Sequence, residues 1–293
     1  METTNDLNDR RIADAWAELQ AHASTSGAPL RADAYRLAFA DPEFLLRRET
    51  RGIRIQLEML KPDLDQQAQG IDNTVVVYGS ARFLAPEDAR ALLQKARDSG
   101  DEAAIARAEL RVKNARWYEA ARAFARLVAT DSAARPAAER IYVCTGGGPG
   151  IMEAANRGAH EVGQPTVGLN IALPFEQSGN RYVTPALSFK FHYFAMRKMH
   201  FMMRAKALVV FPGGFGTLDE LFEVLTLVQT GKAQAVPIVL FGSEFWRAML
   251  NLDVMIDEGT ISPDDLKLFH YVDEPQAAWD LIQDFYRLEP ARA

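Results

Sequence analysis

The stretch Ala207-Leu208-Val209-Val210-Phe211-Pro212-Gly213-Gly214-Phe215-Gly216-Thr217-Leu218-Asp219-Glu220 constrains the fold more than any other. Its first five residues form a short β-branched and aromatic run without polar alternation, which suits a strand buried on both faces. Beyond it, Leu218, Leu221, Phe222, Leu225 and Val228 fall at helical spacing, so a helix is expected over Leu218 to Thr230 with Gly231 as its C-terminal cap. The glycines therefore occupy a strand-to-helix turn. There they let a ligand approach the backbone without meeting a Cβ, while the N–H groups and dipole at the helix start favour an anion such as phosphate. Glu220 sets a carboxylate beside that anion. A plain tight turn, with Thr217 as N-cap and Glu220 complementing the helix dipole, would use the same residues.

The same strand, turn and helix grammar runs along the rest of the chain. Before residue 70 the patterns are helical, at Arg11 to Ala23 and at Pro42 to Leu60, the second ended by Lys61-Pro62. An amphipathic extension of this kind covers a sheet edge or makes an oligomer contact. Asn73 to Gly79 reads as a buried strand running into Ser80-Ala81-Arg82, where Ser80 and Arg82 are candidate phosphate contacts. Pro86 to Thr130 reads as two helices broken at Asp98 to Asp101, and Arg140 to Thr145 as the next strand. That strand enters Gly146-Gly147-Gly148-Pro149-Gly150 and a helix from Ile151 to Val162, whose Glu153 is either a functional acid or complements the helix start. Neither glycine turn has the spacing of a redox dinucleotide fingerprint or the Gly-Lys-Ser/Thr ending of a P-loop.

Thr166 to Ile171 gives a further strand carrying Asn170, the polar loop 178–182 follows, and Leu187 to Tyr193 alternates as a strand. A helix is expected over Phe194 to Lys206. Its adjacent cations, Arg197 and Lys198, lie near a helix start whose dipole opposes them, so they call for an anionic ligand or carboxylate partners. The methionines at 196, 199, 202 and 203 read as core packing, and His192 and His200 as structural. Val236 to Phe241 gives another strand; Glu244 to Asp257 and Ala277 to Leu288 read as helices, with a short one begun by Ser262-Pro263. About six strands alternating with helices predict an α/β protein, a Rossmann-like doubly wound parallel sheet over 71–293 with an N-terminal helical extension over 1–70. Ser80, Gly147, Asn170, Arg197 and Gly214 fall at or just past the C-terminal ends of strands, where ligands gather in such sheets.

Composition narrows the classes of function. With 293 residues, 48% of them hydrophobic, the chain can bury a large core, and a net charge of −6 gives no basic field for nucleic acid or an acidic membrane surface. One cysteine, Cys144, excludes an internal disulfide and reads as a buried, inert thiol in a reducing compartment. Five scattered histidines give no zinc spacing, and no apolar run has the length of a membrane span. The expectation is a cytoplasmic protein that acts on a small molecule without a metal or cofactor.

Taken together, Gly146 to Glu153, the Met196-Arg197-Lys198 step and Pro212 to Glu220 resemble the LOG family, phosphoribohydrolases of cytokinin riboside monophosphates and related purine nucleotides. Members have also carried the label possible lysine decarboxylase. The resemblance covers about residues 70 to 285 and is strongest to a longer bacterial branch. It implies that Arg197 and Glu220 are catalytic, that Gly213, Gly214, Gly216 and Thr217 form the phosphate loop, and that Gly147 and Gly148 form the second glycine turn. Ser80, Arg82, Asn170 and Lys198 complete the expected substrate set. It also implies a nucleoside 5′-monophosphate substrate, no cofactor, and a homodimer or larger homo-oligomer. One departure is Ala195, where small members often have a histidine two residues before the arginine. Two rivals stand beside this reading, a non-catalytic nucleotide sensor and a pyridoxal-phosphate lysine decarboxylase, which would need Lys198 or Lys232 as its Schiff-base lysine.

Overall fold

The computed structural model describes residues 37–173 and 179–288. The expected helix at Arg11 to Ala23 lies outside them, as does the first part of the polar loop. The chain divides into two compact units between Gln56 and Leu57. In the first, Asp41 caps a short helix α1 (Pro42–Leu45), its carboxylate accepting from the N–H groups of Glu43 and Phe44. The continuous helix expected over Pro42 to Leu60 is broken there. The Thr50 hydroxyl and the Arg54 guanidinium meet the carbonyls of Leu45 and Arg47, side chains thus meeting acceptors that a continuing helix would use. Helix α2 (Arg51–Ala68) begins after this break and continues into the second unit.

Contrary to the sequence reading, α2 does not stop at Lys61-Pro62 but runs through Pro62 for another turn and a half. Proline there lacks the N–H that would bond the carbonyl four residues back. That carbonyl, on Glu58, accepts instead from Nε2 of His200 at 3.0 Å, so the break in the ladder is satisfied from outside.

The second unit is built on seven strands, β1 (Thr74–Tyr78), β2 (Tyr142–Thr145), β3 (Thr166–Ile171), β4 (Ser188–Phe191), β5 (Ala205–Val210), β6 (Ile238–Phe241) and β7 (His270–Val272). Their order is β4-β3-β2-β1-β5-β6-β7, every pair parallel. The sheet is therefore the doubly wound one expected, with a seventh strand. At three residues and half-buried, β7 is too short to show periodicity. Val75, Val77, Val209 and Phe211 pack on one face with Tyr118, Phe124, Ala154 and Trp279, which belong to α4 (Glu102–Ala133), α5 (Ile151–His160) and α10 (Pro275–Leu288). Val76, Tyr78, Leu208 and Val210 pack on the other with Phe201, Leu221 and Trp246, from α6 (Phe194–Met203), α7 (Phe215–Gln229) and α8 (Ser243–Met249). A strand whose successive residues both enter a core must be apolar throughout, which is why the runs carry no alternation.

Between β1 and β2 the expected helical pair is present as α3 (Pro86–Ser99) and α4, with Gly100 left-handed at the break and Asp101 capping α4. Helix α6 ends at Met203 rather than Lys206, because Thr74 N–H bonds the Arg204 carbonyl and β5 begins at once. The region expected as one helix over Glu244 to Asp257 is two, α8 and α9 (Leu252–Asp257), parted where Leu250 turns extended to pack on the core. Of the methionines assigned to the core, Met196 and Met202 pack there, whereas Met199 and Met203 are 46% and 43% exposed. Cys144 is buried as expected, and burial pushes its thiol well above the ordinary range. Among the described residues no helix is long and apolar enough to cross a membrane.

Candidate active site

The strand order reverses direction at β1, with β2 on one side and β5 on the other, so the ends of β1 and β5 part there and leave a crevice. A cleft of about 810 Å³ opens at that point. Ser80, Arg82, Gly148, Asn170 and Arg197 line it on one side, with Gly213, Gly214, Gly216, Thr217 and Glu220 on the other. Ten of the twelve residues singled out in the sequence thus meet in one place. The other two do not line it: Gly147 lies beneath Asn170, and Lys198 is turned away.

Helix α7 begins at Phe215, three residues earlier than its apolar spacing indicated, with Gly214 as N-cap. Thr217 is consequently no cap but a buried residue of the first turn. It fits because Gly213 has no side chain: a Cβ there would stand 2.1 Å from Thr217 Oγ1. The start of α7, and with it the positive end of its dipole, is aimed into the cleft beside Glu220.

Glu220 pairs with Arg197, Oε1 to Nη2 at 3.4 Å, and the two side chains are only 14% and 10% exposed. Arg197 is fixed on its other side by Nε donating to the Leu169 carbonyl at 2.8 Å, with its guanidinium 5.1 Å over the Phe201 ring and against Gly146. Burial lifts the Glu220 carboxyl to about 7; Arg197 and Lys198 oppose that rise, while Asp219 and Glu223 add to it. Lys198, the neighbouring cation, does not enter the cleft. Its ammonium is held by Asp219 at 2.8 Å and Glu223 at 2.9 Å on the outer side of α7. Both cations near the start of α6 therefore have carboxylate partners, but only one of the pairs faces the cleft.

The second glycine turn is supported by polar groups that the sequence reading passed over. Gly147 N–H donates to Thr145 Oγ1 at 2.9 Å, and that hydroxyl donates to Asn156 Oδ1 at 2.7 Å. Asn180 reaches Asn156 Oδ1 at 2.9 Å and the Gly148 carbonyl at 3.0 Å, so the far loop is tied to the same hub. Asn156, fully buried in α5, was visible as a polar residue on an otherwise small and apolar helix face. Gly150, at φ 72°, closes this turn against the one that follows β1, since a Cβ there would meet the Ser80 carbonyl oxygen at 2.3 Å. Glu153, the other acid considered, instead accepts from the Tyr118 hydroxyl at 2.9 Å. An apolar wall of Phe83, Met152, Ile171, Phe194 and Phe245, also unread in the sequence, completes the cleft.

A family model described as possible lysine decarboxylase matches residues 152–282. The cytokinin riboside 5′-monophosphate phosphoribohydrolase LOG7 of Arabidopsis thaliana is 30% identical over 155 residues, 52% of this chain and 69% of that protein. The chain belongs to the LOG family. A second relative of that name in the same plant, LOG5, is 28% identical over 166 residues, 55% of this chain and 70% of its own length. Among solved structures, the X-ray structure of TM1055 is 22% identical with a TM-score of 0.45, covering 72% of this chain and 99% of that one. Among the described residues that line this cleft there is no lysine, and Lys198 is held by Asp219 and Glu223 outside it.

Proposed function

We propose that the protein is a nucleoside 5′-monophosphate phosphoribohydrolase, hydrolysing the N-glycosidic bond of AMP or a cytokinin riboside monophosphate to free base and ribose 5-phosphate. The observation that carries this reading is Glu220, a nearly buried carboxyl drawn up to about 7, paired with Arg197 and set in the second turn of a helix whose glycine-led start faces the same cleft.

In the proposed complex the 5′-phosphate lies on the loop from Gly213 to Thr217 and the start of α7, where backbone N–H groups and the helix dipole complement its charge. This remote contact orients the ribose over Glu220. Breaking the bond between C1′ and the base nitrogen places positive charge on the ribose ring, and a carboxylate beneath that ring opposes it. Glu220 also has the proton affinity of a base at neutral pH, so it can take a proton from the water that adds to C1′. The hydroxyl of that water remains on C1′; Glu220 gives the proton it took back to solvent and the departing base nitrogen gains one from solvent, so that one water in all is added across the bond. Arg197 holds the carboxylate in place through a charge-assisted contact and is itself held by Leu169. The apolar wall offers the base a surface to lie against.

Purified protein is incubated with a panel of nucleoside 5′-monophosphates, with the matching nucleosides and triphosphates as controls, and free base is measured by chromatography. Base release confined to monophosphates supports the reaction and the phosphate's role. Full turnover by Glu220→Gln would remove the mechanism. A monophosphate that raises the melting temperature without being cleaved would replace the enzyme by a nucleotide sensor.

A further inference from the structure

The residues that hold Arg197 in place extend beyond the cleft to the part of α2 within the second unit. Helix α6, which carries Arg197, has no cap of its own at its start; the N-cap residue Tyr193 makes no capping bond with its side chain. That role is taken by Glu58, which lies 134 and 135 residues away in sequence. Its Oε1 accepts from His192 N–H at 2.8 Å and its Oε2 from Tyr193 N–H at 3.0 Å. A carboxylate at this position both meets two backbone donors and complements the positive end of the α6 dipole.

The same residue acts a second time through its backbone. Pro62 leaves the Glu58 carbonyl without its helical partner, and His200, two turns into α6, fills the gap from Nε2 at 3.0 Å. The far end of α6 is tied in turn: Arg204 pairs with Asp63 at 2.7 Å and donates to the Ile71 carbonyl at 2.7 Å. Start, middle and end of the arginine-bearing helix are therefore each bound to a single stretch, 58–71. Arg197 projects from between the first two of these points toward Leu169 and Glu220.

We infer that Glu58 is a positioning residue: by capping α6 it sets the axial place of Arg197 and hence the Arg197–Glu220 contact. The inference rests on the proposed reaction for its kinetic readout, and on α6 alone for its structural one. Removing the cap lets the first turn of α6 fray and Arg197 shift, and displacements of about an ångström near a reacting centre reduce turnover roughly 100-fold.

The test uses the full chain with Glu58→Ala, Glu58→Gln, Arg197→Ala and the Glu58→Ala/Arg197→Ala double variant. Gln67→Ala, on the exposed side of α2, is the control expected to match the parent. Glu58→Ala is expected to lower kcat roughly 100-fold with KM of the monophosphate changed less than about threefold. Glu58→Gln, whose amide oxygen still accepts from one N–H, should recover part of the loss. In the Arg197→Ala background the Glu58 change should cost almost nothing more, because its effect passes through Arg197. Full additivity of the two changes would overturn the inference. Amide hydrogen exchange over residues 194–203 gives the second measurement, expected to quicken in Glu58→Ala, and unchanged protection would also overturn it. A parent protein that releases no base from any monophosphate fails the functional reading alone, and the exchange measurement still decides the role of Glu58.

Discussion

Glu220 gives the most direct physical test, through stability rather than turnover. The carboxyl titrates at about 7 in the folded protein against an ordinary 4.5, chiefly because it is buried. Between those values the folded state keeps a proton that the unfolded chain has released. Raising the pH therefore drains stability through this group, the reverse of a surface-paired carboxylate. Integrating the difference in bound protons gives about 2.5 kcal/mol lost between about pH 5 and about pH 8, or roughly 5–10 °C in Tm for a domain of this size. Glu220→Gln keeps the shape and lacks the titration, and every other ionisable group is common to both proteins. Urea or thermal unfolding of the pair across that interval should give curves that converge toward low pH, diverge as the pH rises from about 5 to about 7 with the variant becoming relatively more stable, and keep a constant gap above about pH 8. The same titration should appear in activity, with kcat rising to a plateau as the carboxylate forms. Parallel stability curves would refute the argument, because they would mean that Glu220 ionises as an ordinary surface acid despite its burial.

Three further outcomes are expected. Gly150→Ala introduces a side chain at φ 72° and against the Ser80 carbonyl, and should lower unfolding stability by about 3 kcal/mol in urea titrations. Asn156→Ala removes the hub joining Thr145, Thr166 and Asn180; it should cost about 2–3 kcal/mol by the same measurement, with monophosphate binding weakened as the glycine turn loosens. Lys198→Met should leave base release within about twofold of the parent, since the ammonium is held by Asp219 and Glu223 outside the cleft; a loss of a hundredfold would return it to the substrate set.

The parts of the cleft that could be read in advance are those whose physics is local. A β-branched run entering glycines and then helical spacing defines a turn that can cradle an anion, and Ser80, Gly148, Gly214 and Glu220 follow from it without knowledge of neighbours. Arg197 and Lys198 show where local reading stops. Successive residues on a helix point about 100° apart, so one cation faces Leu169 and Glu220 while the next meets the outer carboxylates of α7. Pro62 shows it again: a proline ends a helix unless another element satisfies the carbonyl it leaves open, and that element, His200, lies 142 residues from Glu58. Asn156 and the apolar wall were missed for the same reason. Their significance lies in what they touch, and β7 needed its neighbour β6 to be recognised as a strand.

The central strand has a consequence for how the chain is made. β1 is synthesised first, yet its two partners begin at Tyr142 and Ala205, with the α3 and α4 pair emerging in between. Until β5 is available, one edge of Val75, Val76 and Val77 has no ladder to join, a state prone to pairing with another chain. Helices α3 and α4 make local contacts and can close early, whereas the β1–β5 pairing must close a loop of more than a hundred residues. The cleft forms at that late seam, between the ends of β1 and β5. A nascent chain therefore acquires its glycine turns one at a time but its anion cradle all at once, when the last wall arrives.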